Sequence, residues 1–240
     1  MTSEARSTFV FVQLPGSEEV VVAGRYVLGP DGVGSFVYGR SYLERGDAFA
    51  LDPRNLPLVE RQFRTTLNKG LFGALRDAAP DAWGRLVMLR RGSPANELDF
   101  LLGTSDTRVG ALSFGPTTDV PDVDWSSALP LDDLAPSMQA AANLQADIAG
   151  EEEVPAIDPK LLDPGSSLGG ARPKVTVVDA DGQLWIAKFP GREDPWDNAA
   201  VEGGLLRLAK QCGIRIPQTQ LLEVAGRRVL LVQRFDCWPG

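Results

Sequence analysis

The chain has 240 residues, room for one large domain or two small ones with a real apolar core. Its net charge of −8 argues against general affinity for nucleic acid or anionic membrane and leaves room only for a local basic patch. Histidine is absent, which excludes Ser-His-Asp and Cys-His catalysis, imidazole bases and nearly all zinc catalysis. Cys212 and Cys237 follow no metal-ligand spacing and suggest no disulfide framework, so two reduced thiols in a cytosolic protein are expected. The N-terminus is polar from Met1 to Arg6, so no signal peptide is expected, and no apolar run approaches the ~20 residues that span a bilayer. A soluble, cytoplasmic protein with no direct contact to membrane or nucleic acid is expected.

Phe9–Leu14 and Glu19–Ala23 are β-rich runs around a Pro15-Gly16 turn, and Gly34–Tyr38 alternates like a half-buried strand. The period then changes. Leu58–Phe63 and Asn68–Leu75 predict short helices, and a longer one begins at Pro80-Asp81 and runs through Leu89. A further helical turn starts at Asn96 or Glu97 and ends at Gly103. From Thr117 to Pro136, Asp, Pro and Ser dominate, as in an exposed connector, followed by a helix over Ser137–Asp147. The acidic run Glu151–Glu153 reads as solvated linker, because a metal site needs convergent ligands; no metal centre is expected.

After the connector the order is strand Lys174–Val178, a turn at 179–182, strand Leu184–Phe189 and helix Trp196–Gln211, closed by Gly213. Gln218–Val224 and Val229–Phe235 then form a hairpin around Ala225-Gly226. Before the first of these strands stands Ser166-Ser167-Leu168-Gly169-Gly170-Ala171-Arg172-Pro173. Gly169 and Gly170 lack Cβ atoms, so their backbone N–H groups can approach phosphate oxygens. Lys188 can neutralise α/β-phosphate charge, and Glu202, fourteen positions on in the helix, can pair with it. Such a Lys–Glu pair is a required part of protein-kinase sites. Each feature alone is weak, since paired glycines usually mark a turn and most helical glutamates are solvated. The Gly-rich segment is neither G-x-G-x-x-G-x-V nor a Walker A motif.

Together, Ser-Leu-Gly-Gly-Ala-Arg-Pro-Lys ending at Lys174, Trp-Ile-Ala-Lys-Phe-Pro around Lys188, Val201-Glu202, Leu208-Ala209, Gly213-Ile214 and Val-Gln-Arg-Phe-Asp ending at Asp236 resemble the HipA family. These are serine/threonine protein kinases that act as toxins of bacterial toxin–antitoxin modules. The upstream half resembles the family too, through Gly34–Tyr38 with Tyr42-Leu43, Leu71-Phe72 through Pro80–Arg85, and Leu101–Leu112. The resemblance implies an α+β fold, with a mixed N-terminal domain over 1–115, a connector over 116–165 bearing a short helix, and a kinase-like N-lobe of antiparallel sheet and one helix over 166–240.

It further implies ATP and Mg²⁺ as cofactors, with Ser167, Leu168, Gly169 and Gly170 covering the phosphates and Lys188 and Glu202 as the nucleotide lysine and its partner. Gln233 to Phe235 match the hinge that meets adenine through backbone groups. Ser167 matches the autophosphorylated serine, with Ser166 as the alternative; added phosphate there would repel nucleotide phosphates. Implied partners are a helix-turn-helix antitoxin and a protein substrate such as an aminoacyl-tRNA synthetase. The catalytic-loop Asp and the Mg²⁺-binding Asp of a kinase C-lobe do not occur, and Cys237-Trp238-Pro239-Gly240 departs from the family's usual continuation. The expectation is therefore a kinase truncated before its C-lobe and inactive alone, with an antitoxin-binding remnant (a decoy or corepressor) as the alternative. The residue pairs around Asp81-Ala-Trp-Gly-Arg85 and Asp106-Thr-Arg108 are expected to cap helices or brace turns.

Overall fold

The computed structural model describes residues 6–92, 94–104, 108, 110–121, 128–150, 154–155, 157–162 and 172–236. The fold is mixed α+β and divides into two compact units, Met1–Pro80 with Ser93–Val123, and Asp81–Gly92 with Asp124–Gly240.

In the first unit, β1 (Arg6–Gln13), β2 (Val20–Leu28), β3 (Gly34–Tyr38), β4 (Gln62–Thr65) and β5 (Leu112–Gly115) make an antiparallel sheet ordered β4-β3-β2-β1-β5. Short helices α1 (Arg40–Leu43) and α2 (Gly73–Asp77) follow β3 and β4. Next in sequence comes α3 (Ala82–Arg91), which belongs to the second unit, and then α4 (Glu97–Leu102), which returns to the first. The core gathers Tyr26, Phe36, Tyr38, Tyr42, Phe63 and Phe72, among others.

Each buried tyrosine hydroxyl has a partner. Tyr26 donates to Gly70 O (2.9 Å), Tyr38 to Leu56 O (2.6 Å) and Tyr42 to Phe49 O (3.0 Å). Burial raises the Tyr38 pKa to about 12, which keeps the hydroxyl a donor. The Tyr26 bond requires a close backbone approach: a Cβ on Gly34 would lie 1.7 Å from Gly70 O, so only glycine fits there.

Two expectations fail in this unit. Leu58–Phe63 forms no helix; the chain turns and enters β4, where Phe63 pairs across the strand with Phe36 and packs edge-on against Tyr38. Burial of one aromatic ring outweighs a weak local helical pattern. Over Asn68–Leu75 the chain first makes a 3-10 turn in which Asn68 and Lys69 adopt positive φ (48° and 58°), and only Gly73–Asp77 is helical.

The second unit holds β6 (Leu129–Pro130), β7 (Lys174–Val178), β8 (Leu184–Lys188), β9 (Thr219–Val224) and β10 (Arg227–Gln233), ordered β6-β7-β8-β10-β9. Only the β6–β7 pair is parallel. One face packs on α3 and α5 (Leu134–Ile148) through Trp83, Val87, Leu134, Met138, Ala141 and Leu144. The last four recur at three- and four-residue intervals, one stripe of a helix. Thus α5, expected within a connector, is core, and α3 packs here although sequence order sets it inside residues 1–115.

Helix α6 (Asn198–Gln211) lies between β8 and β9 in sequence and contacts β9 and β10. It ends as expected at Gly213 (φ +80°): Gly213 N donates to Lys210 O and Ile214 N to Ala209 O, each at 3.0 Å, the double bond of a Schellman cap. Among the described residues no helix is long and apolar enough to cross a membrane.

Gly203 and Gly204 sit mid-helix in α6, and a Cβ on Gly204 meets nothing within 4 Å. Alanine in place of glycine in an exposed helix stabilises by about 0.5–1 kcal/mol. Gly204→Ala should raise the unfolding free energy by that amount, read as a higher urea midpoint at an unchanged slope.

Candidate functional site

Strand register decides which side chains share a face. Across β7, β8 and β10, Val175, Ala187 and Leu231 align and point into the core, with Val177 and Trp185 beside them. The adjacent row, Lys174–Lys188–Leu230, lies on the opposite face, as does Thr176–Ile186–Val232. Lys188 therefore stands on the face away from the Trp83/α5 core.

Its Nζ donates to Glu202 Oε1 on α6, and both side chains stay partly exposed, at 34% and 44%. The helix start is pinned by Asp197, which accepts Ala200 N at 2.8 Å as N-cap and the Arg228 guanidinium of β10 at 3.1 Å. That anchorage brings Glu202, in the second turn, over Lys188. The Thr176 hydroxyl, fully buried on the same face, has no hydrogen-bond partner among the described residues.

Lys174 has a different fate. It is 5% exposed, and its Nζ donates to Asp81 Oδ2, a carboxylate as deeply buried. Asp81 also caps α3, its Oδ1 accepting Gly84 N at 2.7 Å, as expected from the sequence. One residue into that helix plus one, Trp83 Nε1 donates to Lys174 O at 3.0 Å. Asp81 thus does more than cap a helix, and sequence reasoning missed the ion pair. The partners are 93 residues apart, and no local pattern links them.

Two carboxylates brace the turns around this sheet. Asp179 accepts from Asp181 N, Gln183 N and Trp185 Nε1 at 3.0, 2.9 and 2.7 Å, closing the β7–β8 turn. Asp194 accepts from Gly191 N at 2.8 Å and pairs with Arg172 at 3.1 Å, which ties the entry to β7 to the segment before α6. Partial burial pushes the Asp194 carboxyl upward, but the bonds from Asn198, Gly191 and Arg172 outweigh it and hold its pKa below the ordinary value.

Of the sequence-predicted residues, Lys188 and Glu202 are brought together. Ser166, Ser167, Leu168, Gly169 and Gly170 lie outside the described residues, as do Asp106, Glu151–Glu153 and Cys237. Gln233 closes β10: its backbone N–H bonds Gln218 O at 2.9 Å and its side chain donates to Gln183 Oε1 at 3.0 Å. Arg234 N is likewise engaged, by Leu184 O at 2.9 Å, while the Phe235 ring is exposed. The N–H groups of Gln233 and Arg234 are therefore already bonded within the sheet. Among the described residues no cluster of His, Cys, Asp or Glu is placed to hold a metal ion.

Residues 166–238 match the family model of the HipA-like C-terminal domain. The match spans the Gly-rich segment, both lysine-bearing strands, α6 and the β9–β10 hairpin, and it supports the HipA resemblance there. No curated protein matches the sequence.

Removing one partner of a buried ion pair leaves an uncompensated charge, at a cost of about 3–5 kcal/mol. Asp81→Ala should lower unfolding stability by that order in chemical denaturation, since it strands Lys174 and uncaps α3. Asp194 acts in the acid range. Because its folded pKa is depressed, its contribution is complete above the unfolded value of about pH 4 and is lost as pH falls through the folded one. Asp194→Asn should flatten the acid limb of a stability–pH curve and leave its shape near pH 7 unchanged.

Proposed function

We propose that the residues from Ser166 to Asp236 form the nucleotide-binding lobe of a HipA-type serine/threonine protein kinase. The observation that carries this reading is the Lys188–Glu202 pair, which joins a sheet strand to a helix on the sheet face opposite the core. In this reading the Lys188 ammonium meets the α/β-phosphates of ATP and Glu202 fixes its direction. The pair is half-exposed, so the ammonium stays reachable by a ligand. Ser167 to Gly170 cover the phosphates, and phosphorylation of Ser167, or Ser166, expels that cover.

Bound Mg²⁺ would supply charge neutralisation between phosphates. Among the described residues no cluster of His, Cys, Asp or Glu is placed to hold it.

Thermal shift with and without MgATP tests the reading. A ligand at 100-fold its Kd stabilises the folded state by about 2.7 kcal/mol. The wild-type chain should melt higher with MgATP, and Lys188→Met should lose most of that increment while keeping its circular dichroism spectrum. No shift in the wild type, or an equal shift in the variant, refutes nucleotide binding at this pair.

A further inference from the structure

Strand β9 is an edge of the second unit's sheet, paired on one side only, to β10. Their hairpin closes on Ala225-Gly226, both at positive φ (47° and 74°), so Val224 and Arg227 form the bonded pair beside the turn. Bonded pairs recur at every second residue, through Leu222, Gln220 and Gln218, and Gln233 N donates to Gln218 O at 2.9 Å in that phase. The backbone N–H and C=O groups of Thr219, Leu221 and Glu223 therefore point out of the sheet. Among the described residues no backbone hydrogen bond from outside the sheet reaches them. Nothing blunts this edge: its pairing runs without a bulge, and β9 contains no proline or lysine.

A groove of about 590 Å³ lies between β9 and α6. The chain from 216 to 221 forms one wall, and Gly203 and Gly204, which have no side chains to fill the space, form part of the other. Arg207 and Lys210 line it too, four and seven positions after Gly203 and so on the same helix face. Their side chains form no ion pair or hydrogen bond among the described residues, and no carboxylate lines the groove. On the opposite face of β9, Leu222 and Val224 pack partly buried against the core.

We propose that the edge of β9 takes an added strand from a partner protein, an extended segment that alternates acidic and aliphatic side chains. Its main chain bonds Thr219, Leu221 and Glu223. Its carboxylates enter the groove toward Arg207 and Lys210, and its aliphatic side chains, on the other face of the strand, extend the row of Leu222 and Val224. Like charges directly opposite each other destabilise a strand pair, so the acidic positions lie opposite Thr219 and Leu221, and a neutral one opposite Glu223. The chain's net charge of −8 repels an acidic segment at long range, but screening over about 8 Å at physiological salt leaves the local cations to decide. A second copy of this chain would bring the same two cations to its own edge, so pairing of two β9 strands lacks the opposite charge.

The probe is a fluorescein-labelled peptide of about eight residues, enough to run along the six of β9 at ~3.3 Å each. Valine alternates in it with glutamate at one end and threonine at the other. Its anisotropy is titrated with the whole chain, without nucleotide, and saturable binding is expected. Arg207→Glu with Lys210→Glu should weaken it about tenfold by turning two exposed attractions into repulsions. Lysine in place of glutamate in the peptide should restore binding to that double variant. Strand addition has its own signature: N-methylation of the peptide amides that face β9 keeps every side chain and should abolish binding. Leu221→Pro should abolish it too, with a native far-ultraviolet spectrum, because the Leu221 N–H bonds nothing within the sheet. The methylated peptide is read on the unaltered chain, so it decides independently of how that variant folds. The proposal falls if no saturable binding occurs, if the methylated peptide binds as well as its parent, or if the charge reversals leave affinity unchanged. It falls equally if sedimentation shows dimers that Leu221→Pro abolishes and the peptide does not dissociate.

Discussion

The register of β8 between β7 and β10 is the constraint on which the second unit depends, because strand side chains alternate with a period of two. A slip of one residue would turn Trp185 and Ala187 out of the core and Lys188 into it. Packing, and not the ion pair, holds that register. Val175, Val177, Trp185, Val229 and Leu231 are at most 3% exposed, and burying an aliphatic side chain of this size contributes about 1.5–3 kcal/mol. A half-exposed Lys–Glu pair contributes roughly 0–1 kcal/mol. The position of Lys188 is therefore a consequence of the hydrophobic face behind it.

Two lysines sit side by side in one cross-strand row and meet opposite environments. Lys174 is sealed against Asp81, so its charge is spent inside the protein and holds the start of α3 against β7. Lys188 meets Glu202 at the margin of α6 and keeps a third of its side chain in solvent. The first arrangement braces structure; the second leaves a cation aimed but reachable. One carboxylate on a short helix cap and one on a longer helix produce that difference.

Helix α6 is thinly covered by its own unit. Of its residues only Ala199 is buried, and its two adjacent glycines leave a gap where side chains would otherwise fill the space against β9. Its placement relies instead on Asp197 at one end and the Gly213 cap at the other. Anchored ends hold this thinly covered helix, and with it Glu202, in place.

Much of this was legible in the chain. The alternation in Gly34–Tyr38 and the strand-like run Lys174–Val178 gave both strands their observed ends, and Gly213 marked the end of α6. Lys188 and Glu202 could be paired because a strand end, the loop 189–197 and a helix start set them fourteen positions apart. These are local periods and spacings, and the sequence by itself determined them, together with the HipA-like motifs that the family match over 166–238 supports. Only the tertiary structure decided that Phe63 belongs to a strand, that α3 and α5 share a core with β7 and β8, and that Asp81 reaches Lys174. Those outcomes turn on which surfaces become buried when distant segments meet, and burial is a property of the folded whole.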